Sequence, residues 1–249
     1  MSGLLRIPRR FNGPLESGNG GYSSGVIAGF VEGRAEVTLR NPVPLERPLE
    51  VIDDDGGAVR VLDGGTLVAE AHSAGPLDLD PPPTVTPEEA RAATSRYRGS
   101  PDGVFSRCFV CGLAREDSFE VFAGAVEGRE LVASPWTPPP WTADWSGAVL
   151  PEFVWAVLDC PTYFATSLDR ELVPAVLARV TCRIEAPVVA GEEHVVIAWP
   201  LEADGRKRYA GSAVLSRQGK LLAISRALLI EPRPDKAPKR VSCPRQTPG

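Results

Sequence analysis

The feature that most constrains this chain is a short motif that occurs twice. Val37-Thr38-Leu39-Arg40, with Pro44 beyond it, matches Val180-Thr181-Cys182-Arg183, with Pro187 at the same spacing. Each copy leads into a similar succession of extended stretches. After Pro44 come Leu49-Glu50-Val51, an Asp54-Asp55-Gly56-Gly57 turn, and Val59 to Ala69 with Gly64-Gly65 inside it. After Pro187 come His194 to Trp199, an Ala203-Asp204-Gly205 turn, Tyr209 to Ser216, a Gln218-Gly219 turn, and Leu221 to Ile230. Alternating apolar positions, β-branched residues and Asp-Gly or Gly-Gly pairs are signals of antiparallel hairpins. A chain that repeats such a meander reads as two like units, and 249 residues suffice for two cores.

Ahead of each meander lies one apolar segment without strand alternation, Gly20 to Val31 and Val149 to Ala165. Tyr22, Val26, Ile27, Phe30 and Val31 recur at helical spacing, as do Val149, Phe153, Ala156, Val157 and Tyr163, which predicts two helices apolar enough to be buried. The expected architecture is therefore α+β, a tandem of two antiparallel sheets, each wrapping a buried central helix. Between the halves, Thr86-Pro87-Glu88-Glu89 offers an N-cap, a proline at the first helical position and a glutamate three after the cap, predicting a short surface helix. The boundary falls near residue 100, giving units 1–100 (with the linker) and 101–232. Residues 233–249, rich in Pro, Lys and Arg with little to bury, read as a mobile tail.

Charge and composition narrow the partners. A net charge of -5 disfavours a nucleic-acid or anionic-lipid surface. No apolar run approaches the ~20 residues of a membrane span, and the apolar run in MSGLLRIPRRF is too short for a secretory signal. Five cysteines make an odd, sparse set that fits thiols in a reducing, cytoplasmic setting better than a disulfide framework.

Ser17-Gly18-Asn19-Gly20-Gly21-Tyr22 before the first helix, followed by Val-Thr-Leu-Arg-Asn-Pro-Val-Pro-Leu from Val37, resembles double-hotdog acyl-CoA thioesterase-like proteins. Cys108-Phe109-Val110-Cys111-Gly112 and the later Glu152-Phe153-Val154-Trp155-Ala156-Val157-Leu158-Asp159 resemble the entrance strand and central helix of a PaaI-like hotdog unit. The likeness spans about residues 10 to 232. It implies that a glycine opening the buried helix offers its N–H to a thioester carbonyl, while an acid about two turns along the partner helix attacks or activates water. A helix N-terminus does carry orphan N–H donors and partial positive charge suited to an oxyanion.

Projected onto this chain, the parts divide between the halves. The first helix has Gly20 and Gly21 but Ala28 eight residues after Gly20; the second has Asp159 but Pro151, which has no N–H, eight residues before it. One composite site follows, with Gly20 or Gly21 as oxyanion donor and Asp159 as base or nucleophile. Asn12, Asn19, Tyr22 and Trp155 are the expected substrate contacts. The implied activity is hydrolysis of an acyl-CoA or carrier-bound acyl thioester without a cofactor; the alternative is a protein that binds such ligands without turnover. Hydratase chemistry ranks last, because His72 and His194 are not on the helices. Hotdog pairs often join further, which makes a homo-oligomer an open expectation.

Each signal also has a plainer reading. Asp159 on an apolar helix is costly to bury, which favours function, but with Pro161 after it this carboxylate could instead cap a turn. Ser17 to Gly21 could be a turn and N-cap with glycines for close packing. It fits neither a dinucleotide fingerprint nor a P-loop. Cys108-x-x-Cys111 lacks a second ligand pair, so no metal is expected there and the pair reads as small apolar thiols at a buried strand end. Trp136, Trp141 and Trp145, interleaved with Pro138 to Pro140, form a loop that either covers an acyl pocket or caps the sheet.

Overall fold

A computed structural model describes residues 3–233. The strands are β1 (Gly3–Leu5), β2 (Ala35–Leu39), β3 (Leu49–Asp53), β4 (Val59–Asp63), β5 (Thr66–Ser73), β6 (Gly124–Ala125), β7 (Val132–Trp136), β8 (Val176–Ile184), β9 (His194–Asp204), β10 (Lys207–Ser216) and β11 (Leu221–Ile230). The helices are α1 (Gly20–Ala28), α2 (Pro87–Thr94) and α3 (Pro151–Ala165). His72 and His194 fall in β5 and β9, and the segment expected to be a tail lies, apart from Arg233, outside the described residues.

The strands form one antiparallel sheet in the order β1-β3-β4-β5-β2-β8-β11-β10-β9-β7-β6, which corrects the expectation of two sheets. The junction is the repeated motif itself: Glu36, Val37 and Thr38 of β2 pair with Thr181, Val180 and Arg179 of β8. Two strand edges whose N–H and C=O groups would otherwise stay open saturate each other there. Outward from this junction the order is β5, β4, β3 on one side and β11, β10, β9 on the other, and Val37 faces its motif counterpart Val180. The β4–β5 turn uses Gly64 and Gly65 at φ 53° and 86°, the left-handed pair a two-residue hairpin demands.

Side-chain alternation gives the sheet two apolar faces. On one, Val37, Val180, Val196, Ala198 and Val214 pack with Ile27 of α1 and Phe153, Val154 and Leu158 of α3. On the other, Val195, Ile197, Ala213, Leu215 and Ile224 meet Ala90 and Ala93 of α2. The Thr86 capping box is formed, with Glu89 N–H donating to Thr86 Oγ1 at 3.2 Å and Thr86 N–H to the Glu89 carboxylate at 2.7 Å. The helix it starts is exposed on one side only, since Ala90 and Ala93 are fully buried.

Candidate active site

Helices α1 and α3 run against each other under the sheet, and glycine decides how closely. A Cβ on Gly21 would lie 2.6 Å from the Asp159 Cβ and 3.0 Å from the Ala156 Cα, and would also strike the Trp155 carbonyl oxygen. One turn on, a Cβ on Gly25 would lie 2.6 Å from the Glu152 Cα. Spacing of four residues places both on one helix face, so α3 sits directly on the α1 backbone. Asn19 caps α1 by accepting the Tyr22 N–H at 2.9 Å, and the Gly21 N–H donates to Asp159 Oδ2 at 2.8 Å. The Gly20 N–H, first of the helix, has no acceptor among the described residues. A Cβ on Gly20 would stand 3.1 Å from Asp159 Oδ2, so this donor lies beside the carboxylate.

Asp159 is buried, and desolvation raises its carboxyl from an ordinary 3.8 to about 7, partly countered by the Gly21 N–H and assisted by the neighbouring Cys108. Its side chain reaches across to α1 rather than capping a following turn, and α3 continues through Pro161 to Ala165. A proline removes one ladder donor without ending a helix that packing holds on both sides. Nearby, buried Ser212 of β10 donates to the Leu158 carbonyl at 2.6 Å and lies 2.7 Å from the Ser225 hydroxyl, tying α3 to the sheet.

Gly20 and Asp159 face a cavity of about 1150 Å³. Of the residues expected at the site, its wall holds Asn19, Gly20 and Asp159, with Leu177 and Tyr163 among its apolar lining. Gly21 stands just behind, its N–H spent on Asp159 rather than offered to a ligand. Asn12, Tyr22 and Trp155, also expected as substrate contacts, are not in the wall. Asn12 donates to the Gly13 and Arg107 carbonyls at 3.1 and 3.0 Å and accepts from Arg115 at 2.7 Å, making it a loop tie. Tyr22 stacks on Phe11, with ring centroids 4.3 Å apart, and Trp155 is buried at the helix contact. The tryptophan segment is not in the wall either. Trp136 ends β7 inside the core, the Arg10 guanidinium sits 4.0 Å from the Trp141 ring, and Trp145 is exposed.

The cavity also reveals a grouping that spacing alone does not show. Cys108 and Cys111 lie in a turn, not a strand, and Cys160 of α3 joins them on the same wall. The three sulfurs lie within 4.8 Å of one another, with Cys108 and Cys160 at 3.6 Å. Thiols of Cys111 and then Cys160 donating to Cys108, helped by the Val110 N–H, hold the Cys108 thiol well below its ordinary range despite burial. The partners, held as donors, are pushed up. The cysteines of the described residues are all free thiols.

No known protein family matches the chain, and no curated protein is similar to it by sequence. Solved structures resemble it at low identity. A hot dog fold protein of unknown function from Alicyclobacillus acidocaldarius superposes with a TM-score of 0.60 at 13% identity over 94% of each chain. A protein with a provisional thioesterase name from Novosphingobium aromaticivorans gives 0.59 at 13% identity, covering 93% of this chain and 96% of that one. The TesB protein of Mycobacterium avium subspecies paratuberculosis gives 0.58 at 14% identity over 93% of each. The chain therefore has the hotdog fold across nearly its whole length. Among the described residues no helix is long and apolar enough to cross a membrane.

Proposed function

We propose that this protein hydrolyses an acyl thioester, acyl-CoA or carrier-bound, at one composite site formed where α1 meets α3. The observation that carries the reading is the buried Asp159 carboxylate on the wall of a large cavity, beside the unpaired N–H of Gly20. A carboxylate raised to about 7 is a base poised near working pH. In this reading Asp159 takes a proton from water as the water oxygen adds to the thioester carbon. The resulting oxyanion is held by the Gly20 N–H at the positive end of α1. Collapse breaks the carbon–sulfur bond, and the departing thiolate takes the proton back from Asp159. Arg206 and Arg233 at the cavity would meet the phosphates of a carrier. The mirrored strand order supports treating 1–100 and 101–232 as two units, each lending one helix to the site.

A second reading, ligand binding without turnover, is favoured by one observation: the Gly21 N–H is already bonded to the acid, so a single free donor remains for an oxyanion. A panel of acyl-CoAs, with released thiol followed by a chromogenic reagent, separates the two. Hydrolysis by wild type that falls about a hundredfold or more in folded Asp159→Asn supports the composite site. Binding without hydrolysis by either protein overturns the enzyme reading and leaves the second.

A further inference from the structure

We propose that Cys108, Cys111 and Cys160 form a metal site for a thiophilic divalent ion of the zinc class, with its fourth coordination position open to the cavity. Thiolates at about 2.3 Å in a tetrahedron stand about 3.8 Å apart. The Cys108–Cys160 separation of 3.6 Å already matches such an edge, and the third sulfur lies within 4.8 Å of both.

The turn carrying the first two ligands is built for the purpose. In Cys108-Phe109-Val110-Cys111-Gly112 the chain folds back so that the Val110 N–H points at Cys108 Sγ, 3.4 Å away, and the Gly112 N–H closes onto the Cys108 carbonyl at 2.9 Å. A Cβ on residue 112 would meet the Ser106 carbonyl oxygen at 2.5 Å and the Cys108 backbone at 2.6 and 2.7 Å, so glycine is required by close approach. An N–H aimed at a ligand sulfur stabilises the thiolate that a metal needs. The Asn19 amide adds a second such contact, with Nδ2 3.7 Å from Cys108 Sγ and 3.5 Å from Cys160 Sγ. Its oxygen is fixed by the Tyr22 N–H, so the N–H side faces the sulfurs.

Three sulfurs on two separate elements, with backbone and amide donors already turned toward them, are organised for a cation rather than merely packed. Soft sulfur ligands select zinc-like or cuprous ions over magnesium or calcium. No fourth Cys, His, Asp or Glu joins the cluster among the described residues, and all three cysteines lie on the cavity wall. The remaining position thus falls to water or a small ligand, the pattern of sites that exchange a ligand rather than of purely structural ones. This holds whether or not the cavity hydrolyses thioesters.

The test is metal titration of the full chain, kept reduced with a phosphine and stripped with chelator. Co²⁺ should bind at about one ion per chain, with thiolate charge-transfer absorption and the visible bands of a tetrahedral site, and Zn²⁺ should displace it. Cys111→Ser should weaken binding about a hundredfold or more, while a Cys182→Ser/Cys243→Ser double variant, which alters the two remaining cysteines, should keep the full signal. Wild type that shows no charge-transfer band overturns the proposal without reliance on any variant's folding. So does a signal that vanishes in the double variant.

Discussion

Replacing Gly21 with alanine tests the helix contact on which the whole site rests. The added methyl would sit 2.6 Å from the Asp159 Cβ and 3.0 Å from the Ala156 Cα, where carbon atoms prefer about 3.5–4.0 Å. The obstacle includes α3 backbone, so no rotamer change relieves it and the helices must part by about an ångström. Overpacking of this kind costs about 1–3 kcal/mol, and loosening the 2.8 Å bond from the Gly21 N–H to a carboxylate adds a loss of comparable size. Alanine's better helix propensity returns only about 1 kcal/mol. A net loss on the order of 3 kcal/mol lowers the melting temperature of a chain this size by about 6–12 °C. Gly75→Ala is the control, since nothing lies within 4 Å of a Cβ there, and it should stay within about 0.5 kcal/mol of wild type. Thermal unfolding followed by circular dichroism, with urea midpoints beside it, reads both. A Gly21→Ala protein that melts with the control would show that α1 and α3 do not meet as described.

Other perturbations probe different layers. In reduced, chelator-treated protein, folding raises the Asp159 carboxyl from 3.8 to about 7, so the folded state binds that proton more tightly than the unfolded chain. The stability contributed there is present at low pH and falls as pH climbs from about 4 to about 7. Asp159→Asn should therefore gain on wild type by up to about 1.4 kcal/mol per unit across that window, and a gap in urea midpoints equal at pH 5 and pH 8 would refute it. Ser212→Ala leaves the Leu158 carbonyl and Ser225 hydroxyl short of a buried partner and should cost about 1–3 kcal/mol by denaturant titration. Thr86→Ala removes the α2 cap and should cost about 1 kcal/mol, with hydrogen exchange rising first over 87–94. Zn²⁺ at a hundredfold over its dissociation constant should raise stability by about 2.7 kcal/mol in wild type and by no more than about 0.4 kcal/mol in Cys111→Ser in the same melt.

What could be read from the sequence was what side chains announce. The meanders are legible because Asp-Gly and Gly-Gly turns punctuate alternating apolar runs, and α2 because its cap and Glu89 are local partners. The joining of the halves into one sheet is not, since the β2–β8 pairing is made by backbone groups that no side-chain pattern reports. Strand β7 escapes notice because Pro135 interrupts it. The structure tolerates that proline because β6 pairs only Val132 and Ala133, leaving Pro135 on an open edge. At the site, Asp159 shows itself through the cost of placing an acid in an apolar helix. Motif proximity does not say which way a side chain faces, and Asn12 and Tyr22 lie outside the cavity wall. Cys160 comes to Cys108 and Cys111 only through the packing of α3, a long-range contact invisible to spacing.

The pairing of Val37 with Val180 has a consequence for how such a chain can change. In a symmetric dimer of identical subunits every substitution falls twice, so an acid lost from one helix is lost from both. Here the two helices are separate stretches of one gene. Ala28 can take the place of an acid on α1, and Pro151 can replace an N–H donor on α3, while Gly20 and Asp159 stay untouched. On the composite site proposed above, one chain can keep Gly20 and Asp159 at a single face and leave the other to be rewritten for packing or recognition.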